Sequence, residues 1–151
     1  MAAAALVDLH VVERLIGEQF DTVNASEVIK LLPGQPFPTG PARSFAQYLG
    51  CDFDTLDRST ANDENQTLNV TAEFLIACPV TDTRADAYQV MTAAGAVMAA
   101  IAEFSKSDAN HIVTLKEATA RRAVVEQLNS FRVVVVTARG TAQRTSGTSR
   151  E

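Results

Sequence analysis

The sequence holds no tryptophan, two cysteines and two histidines in 151 residues. Cys51 and Cys78 stand 27 positions apart, which supplies neither a disulfide framework nor a zinc knuckle. His10 and His111 lack a Cys, Asp or Glu at ligand spacing, so no zinc site and no other cofactor site is expected. Gly34 and Gly40 sit among prolines rather than at a strand-to-helix turn, and no Gly-Lys-Ser/Thr follows, which excludes a phosphate loop. No apolar run approaches the roughly 18 residues of a spanning helix; the longest, Met91 to Ala102, is short and alanine-rich. The start, Met1 to Val7, has no basic segment, and Asp8 and His10 interrupt it, so a soluble, non-secreted chain is expected. The three glycosylation sequons at Asn24, Asn65 and Asn69 then carry no meaning.

What is present is an ordinary globular composition, 46% hydrophobic and 21% charged, at a length that fits one domain. The formal charge of −5 argues against a dedicated nucleic-acid binder. That charge is unevenly placed. Residues 1–75 carry 11 acids and 4 bases, a net −7, and residues 76–151 carry 7 acids and 9 bases, a net +2. A chain acidic in one half and mildly basic in the other suits head-to-tail stacking or a ring, although a solvated surface divided by chance gives the same split.

Leu6, Leu9, Val12, Ile16 and Phe20 recur at helical steps and predict a helix over 2–20. Ser26 as a cap and Pro33-Gly34 as a stop predict a short second helix at 26–32. Four of the five prolines fall in 33–41, an irregular connection in which Phe37 is either a core residue or an exposed contact. Residues 43–49 alternate as a short strand, and the polar run 51–66 reads as an acidic loop. Residues 67–78 alternate as a strand with Leu68, Val70, Ala72, Phe74 and Ile76 on its buried face. Thr83 and Asp86 resemble a capping box ahead of a long central helix at 84–104, whose apolar face includes Tyr88, Met91, Gly95 and Met98 beside Val90, Ala94, Val97 and Ile101. A turn at 105–110 leads to a strand at 111–119. The stretch 114–129 reads as strand–loop–strand, with a helix from Lys116 to Leu128 as the alternative. The four valines 133–136 predict a strand buried on both faces, or once by the core and once by another subunit. Residues 140–151 read as an extended tail. The sum is a single α+β domain over 1–139. Its small, mostly antiparallel sheet carries one long central helix, with the N-terminal helix packed on it.

Few side chains suggest chemistry. Cys78 continues a buried strand face, and nothing in the spacing favours a Cys51–His111 dyad. The run Asp52-Phe53-Asp54-Thr55-Leu56-Asp57 begins like a calcium loop. It then places Asp57 where glycine is needed and Asp63 where glutamate is needed, so a solvated acidic loop is expected. Arg121, Arg122, Arg132, Arg139, Arg144 and Arg150 gather in the C-terminal third. Arginine prefers carboxylate or phosphate partners, which here would be the acidic loop of a neighbouring copy or passing DNA. The plainer reading is solvated arginines that protect sheet edges. Candidate contacts with a second subunit or partner are therefore Phe37, Asp52, Asp54, Asp57, Arg121, Arg122, Arg132, Arg139 and Arg144.

The order of elements adds a resemblance. An N-terminal helix, the Pro-Gly…Pro-Phe-Pro connection into a strand, a polar loop, the long strand Leu68 to Cys78, a helix beginning Thr83-Arg84-Ala85-Asp86-Ala87 and a terminal strand pair follow one another. Over residues 5–139 this resembles the tail-terminator and tail-completion proteins of long-tailed bacteriophages. The likeness lies in order, length and texture. It implies a small α+β virion subunit that forms a ring, usually a hexamer, on the head-proximal end of the tail tube. Its implied partners are copies of itself, the tube protein and a neck or head-completion protein, with DNA passing through the lumen unread. Such a protein is assembled in the host cytoplasm, resides in the virion, touches no membrane, and needs no cofactor or catalytic residue. Two other readings stand beside it: a small α+β enzyme using Cys51 or His111, and a non-viral oligomeric adaptor or shell-type module.

Overall fold

A computed structural model describes residues 7–23, 29–31, 44–55, 67–80, 85–102, 104–108, 110–123 and 131–144. In chain order these form α1 (Leu9–Phe20), β1 (Ile29–Leu31), β2 (Phe45–Thr55), β3 (Thr67–Pro79), α2 (Ala85–Ile101), β4 (Phe104–Asp108), β5 (His111–Ala123) and β6 (Phe131–Arg144). The strands make one curled sheet in the order β1-β2-β3-β6-β5-β4. Only β1 and β2 run parallel; every other neighbouring pair is antiparallel. The fold is α+β, with α1 packed against the more central α2, as the apolar patterning predicts.

Period-two alternation gives the sheet an inner and an outer face. Leu68, Val70, Ala72, Phe74, Ile76 and Cys78 of β3 join Val134, Val136, Ala138 and Ala142 of β6 under the helices. From α1 come Val11, Val12, Leu15, Ile16 and Phe20; from α2 come Val90, Ala93, Ala94, Val97 and Ile101. Phe74 lies at the centre, its ring 5.0 Å from that of Tyr48 and 5.3 Å from that of Phe20. The alanines of α2 let the helix lie close over β6 and β3. On the outer face Leu75, Ala77 and Val133 form a second buried cluster, with Val135, Phe131 and Ala123 packed around it. The four valines are thus divided between two clusters on opposite faces of one strand.

Asp8 caps α1, its carboxylate accepting the backbone N–H of His10 at 3.1 Å. The helix therefore starts at Leu9 rather than at residue 2, and residues 1–6 lie outside the described residues. Its buried stripe is Val11, Val12, Leu15, Ile16 and Phe20, while Leu9 is exposed. On α2 the expected face is rotated: Ala93 is buried, whereas Tyr88, Met91 and Gly95 face outward. A helix apolar nearly all round gives periodicity little to discriminate.

The other departures are strands that polar composition disguised. Residues 29–31, expected in a helix, are β1, because Ile29 to Leu31 pair with Phe45 to Gln47. Cys51 to Thr55, expected in the acidic loop, complete β2. The expected turn at 105–110 is largely β4, reversing through Asn110, which takes a left-handed φ of 65°. Residues 114–123, by contrast, are strand as expected, and the alternative helix from Lys116 does not form there. The strand β6 continues past Gly140 to Arg144, taking in the first residues of the expected tail. Residues 32–43, 56–66, 124–130 and 145–151 lie outside the described residues, and Phe37 and Asp57 with them.

Candidate functional site

Two glycines set the lines of the sheet edges. Gly50, at φ 118°, sits at the irregularity where β2 slips against β3 between Tyr48 and Gly50. That extra residue turns Cys51 and Phe53 inward and Asp52 and Asp54 outward for the rest of the strand. Gly140 of β6 faces the second irregularity, between Leu115 and Glu117 of β5. A Cβ there would stand 1.9 Å from the Thr114 carbonyl oxygen. Glycine alone lets the bulged strand come this close.

β1 covers only Phe45 to Gln47 of β2, so among the described residues Gly50 to Thr55 have no strand on their outer side. β4 covers only His111 to Leu115 of β5, so among the described residues Glu117 to Ala123 are likewise open. The open length of β2 carries Asp52 and Asp54, both exposed. The open length of β5 carries Arg121 and Arg122, both exposed, and even its inward-turned Ala120 is exposed.

The arginines do not form one patch. Arg122 and Arg132 come together with Val80, Met91 and Phe131 in a groove of about 510 Å³ at the helix side of the sheet. Arg121 and Arg139 pair with Val135 and Thr71 on the outer face. Arg139 stands 3.8 Å from Glu117, an exposed pair of little energetic weight. Arg144 lies opposite His111 at the far end of β6. Asp52 and Asp54 lie two residues apart on an extended strand, not on a calcium-loop turn.

Cys51 and His111 are not brought together. Two strands, β3 and β6, separate theirs, and each side chain has another partner. The imidazole Nε2 of buried His111 accepts the backbone N–H of Asp8 at 2.8 Å, tying the start of β5 to the cap of α1. Cys51 Sγ lies 2.6 Å from the Tyr48 hydroxyl. Burial pushes the Cys51 thiol up to about 12, with the Tyr48 hydrogen bond opposing the shift. Burial also raises the Tyr48 hydroxyl above its ordinary value. A thiol held neutral is a poor nucleophile. Cys51 is expected to alkylate at neutral pH about a thousandfold more slowly than an unperturbed thiol, measured by iodoacetamide labelling against a model peptide. The folded state favours the protonated thiol, so its contribution is complete below about 9 and is lost as pH rises towards 12.

Among the described residues no group of three or more His, Cys, Asp or Glu is placed to hold a metal ion. No helix among them is long and apolar enough to cross a membrane. No known family model matches the chain, and no curated protein matches it in sequence.

The alternation of Cys51 and Phe53 with Asp52 and Asp54 was a period-two signal for the β2 edge, hidden by its acidity. The Arg122–Arg132 groove had no local signal, because it needs the register of β5 on β6.

Proposed function

We propose that the chain is a virion structural protein, a ring-forming tail terminator that caps a phage tail tube and joins it to the head or neck. The observation that carries this reading is a pair of sheet edges of opposite charge, Gly50–Thr55 and Glu117–Ala123, open among the described residues, on a sheet with both helices on one face. Two different edges on one subunit give a head-to-tail contact, which generates a closed ring when the rotation closes. The element order supports the same reading through its likeness to tail-terminator proteins. Copies of the chain form the ring, with tube protein below, a neck or head-completion protein above, and DNA passing through without sequence readout. Assembly takes place in the host cytoplasm, and the product resides in the virion.

Size-exclusion chromatography with light scattering, on the chain alone and with tube protein, tests the proposal. The expected result is one discrete oligomer, formed alone or on the tube. A chain that stays monomeric in both conditions counts against it.

A further inference from the structure

We infer that the two open edges pair with each other between copies, β2 of one subunit adding to β5 of the next as a continuous antiparallel sheet. The inference rests on the reading of the chain as a self-assembling subunit and names the surface that does it. β3 runs opposite to β2, β6 opposite to β3, and β5 opposite to β6, so β2 and β5 run in opposite directions. Two copies in the same orientation therefore bring these edges together antiparallel, with their helices on the same side of the joined sheet.

The shapes of the edges agree. The open part of β2 lies at the Leu68 end of β3, and the open part of β5 lies at the Val133 end of β6. These are diagonally opposite corners of the sheet. A neighbour must sit stepped along the strand direction, which leaves room for β1 above one joint and β4 below it. Strands in a closed barrel are staggered in the same sense, by a fixed shear.

Charge and face together fit a register. Asp52 and Asp54 share the outer face with Glu117, Thr119 and Arg121. Placing Asp52 opposite Arg121 sets Asp54 opposite Thr119 and Phe53 opposite Ala120. It also keeps both aspartates from standing directly opposite Glu117, a like-charge pair that would be repulsive. Among the described residues no ion pair occupies Asp52, Asp54, Arg121 or Arg122 within the subunit. Backbone hydrogen bonds along the joint supply affinity, as in other strand additions, and the charges supply orientation.

The test is a reciprocal charge swap in the full chain. One variant carries Asp52→Lys and Asp54→Lys, the other Arg121→Glu and Arg122→Glu. All four residues are exposed, and circular dichroism with urea unfolding confirms that each variant folds. Each variant alone should need about a hundredfold higher concentration than the wild type to assemble, by sedimentation. An equimolar mixture should assemble as the wild type does, because each altered edge then meets its complement. If the wild type and both variants assemble alike, the edge pairing is overturned while self-assembly stands. If the folded variants fail and their mixture also fails, the pairing is overturned as well. If the wild type never assembles, alone or with tube protein, the functional reading fails and the inference falls with it.

Discussion

Gly140→Ala should cost on the order of 3 kcal/mol, the upper end of what overpacking usually costs and a large share of a small domain's stability. The added Cβ would meet three backbone atoms: the Thr114 carbonyl oxygen at 1.9 Å, Leu115 Cα at 2.6 Å and the Thr114 carbonyl carbon at 2.8 Å. Backbone atoms in a paired strand cannot rotate away as a side-chain tip can. The ladder between β5 and β6 must open at its bulge, and that ladder runs from His111 to Ala123. The loss should therefore reach beyond residue 140 to the buried contacts of Val113 and Leu115. Urea unfolding followed by circular dichroism reads it, since the chain has no tryptophan to report. A midpoint within error of the wild type would mean that β5 and β6 approach less closely than described.

Phe74→Ala should cost about 3–5 kcal/mol, through lost transfer energy and the cavity left behind. Phe74 is fully buried and bridges Tyr48 of β2 and Phe20 of α1. Removing its ring unseats the aromatic contact that fixes α1 over the sheet. Phe74→Leu keeps part of the volume and should cost less. The same urea experiment checks both, and equal midpoints for the two variants would contradict the central place given to the ring.

These two residues also show how unevenly the sequence announces its fold. Phe74 belongs to the clean alternation of residues 67–78, where one face is apolar and the other polar, so strand, face and burial all follow from the pattern. Gly140 looks like the start of a polar tail, because Thr141, Gln143 and Arg144 surround the one buried residue, Ala142. The strand there is held by its neighbours β3 and β5, not by its own composition. The acidic half of β2 was hidden in the same way. Asp52 and Asp54 suggested a loop, yet Cys51 and Phe53 alternate with them and pack inward. The β1 segment reads as a helix because Ser26 and Pro33-Gly34 supply helix punctuation, whereas its pairing with Phe45 to Gln47 is non-local.

The candidate contacts were legible as residue types and not as places. Acids in one half and arginines in the other were plain in the sequence. That Asp52 and Asp54 line one open edge, and Arg121 and Arg122 another, depends on which strand neighbours which. The same topology separates Arg139 and Arg144 from that edge and sets Arg132 in the groove beside Arg122.

On the proposed reading the chain works by closing into a ring. Native mass spectrometry over a range of concentrations, with and without tube protein, tests it most directly. One discrete oligomer with no larger species is expected, because a head-to-tail contact that closes leaves no free edge. A monomer under every condition, or an open ladder of ever larger species, would contradict it.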